Sequence, residues 1–400
     1  MRKHQVLALV LAVLSPLEAL AADIVVWHAY RGGEKAAFEK VVAAYNAKPG
    51  NPNKVTTLAV PYDAFADKIT AAVPRGKGPD VFIYAQDRLG GWIEAGNTVE
   101  PIDFYLDDAI RGRYVPATFE AMTYRGSVWG LPLNYKCIAL ITNKKLVKDP
   151  PKTTAELEAL AKRLTARDAG KFGLAYSYGD YYYHAALQNG FGGRVFDQGK
   201  PVMDNPENVK AAQYLQAWIK AGFMPAEPSS ALITSLFNEG KAAMVFSGNW
   251  FLGEIASGID YAVSPLPVIS EAGGKPMRPW ITVEGVYVAA PSKAKDAAFD
   301  FVKYVTDVEA AKVMALEGRQ SPANAKVYAD PKVAADPILS AYKKQVDVAV
   351  PMPNLPEMTM VWSPATTALG AIIRGGDPKV ALAKAQEKVA ADVANLRKGK

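Results

Sequence analysis

Charged residues that close an apolar run, and flat aromatic rings beside turns, are the groups best placed to do chemistry in this 400-residue sequence. The densest such stretch runs from Gly78 to Trp92. Within it Val81 to Tyr84 reads as a buried strand, introduced by Gly78-Pro79-Asp80. Asp87 and Arg88 follow at its carboxyl end, and Gly90-Gly91 is predicted as a turn. Polar groups just past a buried strand sit where open α/β sheets bind ligands.

The aromatics add a second pattern. Trp27 ends a strand, and Tyr84 and Trp92 bracket Asp87-Arg88. Tyr181, Tyr182 and Tyr183 are adjacent, so at least one points away from any core. Trp250 is predicted in a Gly-Asn turn after a strand, and Trp362 follows the Pro-rich run Pro351 to Pro356. With Asp87, Arg88 and Asp180 they suit a sugar, which offers an apolar ring face and a rim of hydroxyls.

Catalytic constellations are sparse. The three histidines are His4, His28 and His184, and none sits in a metal-spaced cluster. No GxSxG elbow, Walker loop or GxGxxG follows a strand. Cys137 lies in an apolar run, a poor setting for a thiolate, and as the single cysteine it makes no internal disulfide. Residue types alone leave a paired-carboxylate glycosidase open, but no spacing argues for one. Neither an enzyme nor a cofactor is expected.

The elements that must position these groups read as follows. Arg2, Lys3 and His4, the apolar run Val6 to Leu14, Pro16 and Ala19-Leu20-Ala21 make a secretory signal peptide over residues 1–22, cleaved after Ala21 or Ala22. No lipid-anchoring cysteine follows, so the periplasm is the expected compartment. Strand, helix, strand, helix, strand from Asp23 to Tyr84 starts a doubly wound α/β domain. Further strands are predicted at Tyr135 to Asn143, Ala242 to Ser247 and Val283 to Ala290. Thr153-Thr154-Ala155-Glu156 is a capping box. The 46 basic and 40 acidic residues are interspersed, which leaves no nucleic-acid footprint. No linker splits the chain, so two α/β units are expected to interleave.

Taken together, these motifs resemble the maltose/maltodextrin-binding proteins of ABC importers. Pro79 to Gly91, Pro132 to Lys144, Phe237 to Met244 with Ser247-Gly248-Asn249-Trp250, and Met352 to Met358 leading to Trp362 carry the likeness over essentially the whole mature chain. The resemblance implies two α/β lobes with a ligand cleft between them. Residues 23–133 plus about 286–330 would form the first lobe, and about 138–284 plus 331–400 the second. It implies crossings near Leu133 to Ile138, near Glu284 to Val288 and at about residue 330. Asp87 and Arg88 match the pair that hydrogen-bonds sugar hydroxyls. Trp250, Trp362 and Tyr182 match stacking aromatics, Trp27 a first-lobe aromatic under the sugar, and Asp180 the place of a Glu. Three positions depart. Lys136 stands for a hinge-side Glu, His28 to Gly33 replaces an acidic-basic pair, and Ser363 replaces an aromatic. An ammonium only donates hydrogen bonds, so Lys136 would suit a different linkage or an acidic sugar as well as maltose. The implied partners are an oligosaccharide, the permease subunits of an importer and a chemoreceptor, with a monomeric chain. Polyamine and metal-ion receptors of the same fold fit poorly, lacking a convergent carboxylate or tyrosine-rich oxygen set.

Overall fold

The computed structural model describes residues 21–226 and 228–398. The expected signal peptide therefore lies outside the described residues, apart from Ala21 and Ala22. The chain opens as its pattern predicts. β1 (Asp23–His28), α1 (Gly32–Asn46), β2 (Lys54–Ala59), α2 (Tyr62–Ala72) and β3 (Val81–Ala85) alternate strand and helix. α1 buries Ala37, Phe38, Val41, Val42 and Tyr45, the face that its spacing marks as apolar.

Two sheets form two lobes. The first has seven strands, in the order Ser321–Pro322, Leu131–Lys136, Trp280–Val288, β3, β1, β2, with Val350–Pro351 pairing beside Trp280 and Ile281. β1 lies parallel to both β2 and β3. The chain thus leaves β1 on one side and returns on the other, which makes the carboxyl ends of β1 and β3 a topological switch point. The segments that follow those ends carry Ala29 to Glu34, which runs into the first turn of α1, and the single 3-10 turn Gln86–Arg88. The second sheet runs Tyr261–Ser264, Ile138–Asn143, Ala242–Gly248, Phe172–Ala175. Each sheet is covered by helices around its own apolar core.

The lobes share strands. Leu131–Lys136 belongs to the first sheet and Ile138–Asn143 to the second, with only Cys137 between them. Trp280 at the start of Trp280–Val288 packs in the second core, while Val283 and Val286 pack in the first. A bulge interrupts the ladder between these two crossing strands, where Glu284 faces Asn134 and Gly285 already faces Pro132.

Two predicted turns are helical. Gly90-Gly91 lies inside α3 (Leu89–Ala95), and Asn249-Trp250 opens the short helix Asn249–Leu252. Gly90 is required by packing. A Cβ there would lie 2.2 Å from the carbonyl oxygen of Asn354 and 2.8 Å from Pro356 Cδ. Its backbone N–H donates to that same Asn354 carbonyl at 3.0 Å. The runs Asp87 to Gly91 and Met352 to Pro356, both among the stretches that carry the family likeness, are therefore two sides of one contact. Trp362 likewise begins a helix, Trp362–Ile373, after the Pro-rich run.

Candidate functional site

The loop after β1 is pinned from inside. His28 is fully buried, and its Nδ1 accepts the Tyr30 backbone N–H at 3.1 Å. Burial lowers its pKa to about 4, so the ring is neutral and structural. Beyond it Arg31 and Glu34 line a cleft of about 650 Å³ between the lobes. The segment after β1 thus presents one basic side chain, from Arg31, and one acidic side chain, from Glu34 in the first turn of α1.

Lys136 and Glu284 contribute to the same cleft from the two crossing strands. The Lys136 ammonium donates to Glu284 Oε1 at 2.9 Å and stands 4.0 Å from Glu34 Oε1. Glu284 Oε2 accepts Tyr30 Oη–H at 3.0 Å and Asn134 Nδ2–H at 2.8 Å. Burial alone would lower the Lys136 pKa, but the Glu284 and Glu34 carboxylates outweigh it and raise it. Burial would push the Glu284 carboxyl up, yet Lys136 and the donated hydrogen bonds hold it below the usual range. The pair is therefore fully charged at neutral pH. Glu34 is raised, chiefly by burial and against the pull of Lys136.

Asp87 and Arg88 follow β3, two and three residues past Ala85, which faces Glu284 in register. Arg88 Nε lies 3.5 Å from Asp87 Oδ2. Burial raises the Asp87 carboxyl to about 6, with Arg88 pulling the other way. Gln86 just before them locks this corner to the crossings. Its Oε1 accepts Val283 N–H at 2.7 Å, and its Nε2 donates to the Met352 carbonyl at 3.2 Å.

On the second lobe the aromatics form a continuous series. Tyr182 lies 6.1 Å from Trp250 and 6.5 Å from Trp280, and Trp280 lies 5.9 Å from Trp362, centroid to centroid. Trp250 lines the cleft and is 38% exposed, with room made for its ring by Gly248, whose Cβ would collide with it. The Tyr182 hydroxyl is 3.2 Å from the Lys136 carbonyl and 3.3 Å from that of Trp280, which ties the series to the crossing strands.

Of the nine candidate residues, Lys136 and Trp250 line one cleft, and Tyr182 and Trp362 join Trp250 through Trp280. Asp87 and Arg88 stand at the corner beside the crossings. Asp180 caps the helix Tyr181–Gly190, its Oδ1 accepting Tyr182 N–H at 2.9 Å, and burial raises its pKa. Tyr84 is buried and stacked on Phe65 at 4.9 Å. Trp27 is buried in the sheet, not at its end, with the Lys68 ammonium 5.6 Å from its ring centroid. Ser363 lies on the exposed side of its helix, along a groove with Ala381 and Lys384. Sequence reasoning missed Glu34, Glu284 and Trp280. Glu284 carried the one available signal, a carboxylate within an otherwise apolar strand, which must be paired when buried.

Known proteins match this arrangement over nearly its full length. A maltotriose-binding protein of Pyrococcus abyssi is 32% identical over 93% of this chain and 83% of its own. A galactooligosaccharide-binding protein of Bacillus subtilis is 29% identical over 98% of this chain and 96% of its own. The crystal structure of a cyclo/maltodextrin-binding protein complexed with maltotetraose superposes with a TM-score of 0.84 at 30% identity, covering 93% of this chain and 97% of that one. The family model of bacterial extracellular solute-binding proteins matches residues 31–312, and this chain belongs to that family.

Proposed function

We propose that the protein is an exported receptor that captures a maltooligosaccharide and delivers it to the membrane subunits of an ABC importer, without transforming it. The observation that carries this reading is the aromatic series Tyr182–Trp250–Trp280–Trp362 beside a cleft of balanced charge. Six charged side chains line that cleft: Arg31, Lys136 and Arg319 against Glu34, Glu254 and Glu284. A balanced lining favours a neutral ligand over an acidic sugar or a polyamine. The names of the relatives point to the same class, since the sugars they bind are neutral. In this reading Trp250, Tyr182 and Trp362 meet ring faces, with Trp27 and Tyr84 backing the first-lobe wall. Asp87, Arg88 and Lys136 orient hydroxyls, and Asp180 sets the helix that carries Tyr182. The lobes would comprise residues 23–133 with about 286–330, and about 138–284 with 331–400. The receptor would act as a monomer in the periplasm, and a chemoreceptor would be a second reader of its closed form.

A galactooligosaccharide is the second reading, favoured by the Bacillus subtilis relative. Tryptophan fluorescence separates them. Maltotriose is expected to change the emission of the mature chain saturably at micromolar concentration, and a β-galactooligosaccharide only at far higher concentration. The reverse order would select the second reading. No response to either would sink both, and release of reducing ends from maltotriose on long incubation would make the protein a hydrolase.

A further inference from the structure

The cleft holds two carboxylates within reach of one ammonium, and their hydrogen bonds divide the labour between them. Glu284 is spent on the protein. Oε1 takes the Lys136 ammonium, and Oε2 takes Tyr30 and Asn134. Its side chain is 9% exposed, and three of the four lone-pair sites of its carboxylate are taken by the protein. Glu34 is in the opposite position. Its side chain is 31% exposed, and beside the 4.0 Å ion pair with Lys136 it accepts a long 3.4 Å hydrogen bond from Gln320 Nε2 at Oε1. Oε2 accepts nothing from another described residue.

The spacing between Glu34 and Lys136 matters as much as their exposure. At 4.0 Å the ammonium and Oε1 attract each other but make no hydrogen bond. An ammonium carries three donors, and Glu284 engages one of them. The remaining donors and the Glu34 acceptor therefore lie side by side at the cleft, a donor next to an acceptor. Adjacent hydroxyls on a pyranose ring offer the complement, one oxygen to accept and one O–H to donate. We propose that Glu34 and Lys136 form a two-point clamp for a vicinal diol of the bound sugar, Lys136 donating to one hydroxyl and Glu34 accepting from its neighbour, with Glu284 holding the ammonium in place. This rests on the sugar-receptor reading and names the recognition chemistry within it. A crossing-strand lysine then loses nothing by being unable to accept, because the acceptor comes from the first turn of α1.

Calorimetric titration of the mature chain with maltotriose and with a set of monodeoxymaltoses tests the clamp. Glu34→Gln keeps the shape of the side chain and its contact with Gln320, and sits on a half-exposed position, so folding is not at risk. It is expected to raise the maltotriose Kd about tenfold, the loss of one charge-assisted hydrogen bond. That loss should vanish for one monodeoxy sugar. The loss caused by Lys136→Gln should vanish for the sugar lacking the hydroxyl on an adjacent carbon. The clamp is overturned if Glu34→Gln changes Kd less than about twofold, or weakens every deoxy sugar equally, while wild type still binds maltotriose. If wild type binds a galactooligosaccharide and not maltotriose, the maltooligosaccharide reading falls and monodeoxygalactosides replace the panel with the same criteria. Binding of neither sugar overturns the clamp together with the reading it rests on.

Discussion

At the scale of single residues, Asp87 carries an opposition between stability and binding. Its carboxyl ionises at about 6 in the folded chain, against about 3.9 in an unfolded one. The fold therefore favours the neutral form. That contribution is complete below about pH 3.9 and is lost as the pH rises through about 6, so at pH 7.5 the ionised group costs about 3 kcal/mol. A ligand hydroxyl needs the ionised form as acceptor. Asp87→Asn should therefore raise the unfolding midpoint in urea at pH 7.5, with a smaller gain at pH 4.5, and weaken sugar binding by about 1.5–3 kcal/mol at pH 7.5. Wild-type affinity should increase from pH 5 to pH 7. A variant that is destabilised at pH 7.5, or that binds sugar normally, would show that Asp87 is a structural acceptor. The residue was legible in the sequence because a charged pair closing a buried strand stands out. Glu34 was not, because an acidic residue at the start of a helix is what the helix dipole asks for anyway.

Elements were legible where one rule decides them. The strand and helix periods of β1 to β3 are read directly, and so is the Thr153 capping box, which forms with both of its hydrogen bonds. Tertiary contacts decided the rest. Gly-Gly after a strand is a turn by local rules, yet α3 runs through it, and glycine stands at position 90 because the Asn354 carbonyl, far away in sequence, occupies the space a side chain would fill. Gly90 and Gly91 separate the two effects. Gly90→Ala should destabilise the chain by about 1–3 kcal/mol through overpacking against Asn354 and Pro356. Gly91 has nothing within 4 Å of its Cβ position, and Gly91→Ala should be neutral or stabilise by up to about 1 kcal/mol through helix propensity. Chemical denaturation of both variants checks this. Equal effects would mean that α3 is not wedged against the Pro-rich run.

At the scale of the whole molecule, the groups proposed to meet the sugar are divided between bodies joined by shared strands. Asp87, Arg88 and Glu34 ride on the first sheet, and Trp250, Tyr182 and Trp362 on the second lobe. Gln86 fastens the end of β3 to Val283 and Met352, which ties the Asp87–Arg88 corner to the crossing strand Trp280–Val288 and to the segment after Val350–Pro351. A ligand shifts an open–closed equilibrium only by the difference between its affinities for the two states. Contacts to one lobe bind without closing, and contacts to the second supply the difference. Trp250, exposed on one side, can be truncated with little effect on folding. Trp250→Ala should therefore still bind maltotriose at high concentration through the first lobe, yet show less compaction than wild type at saturation. Small-angle scattering with and without sugar measures it as the fall in radius of gyration. Equal compaction in the two proteins would place the closing contacts elsewhere on the second lobe. No compaction in wild type would mean that the lobes are already fixed in their bound arrangement and that the importer reads the sugar itself and not the closure.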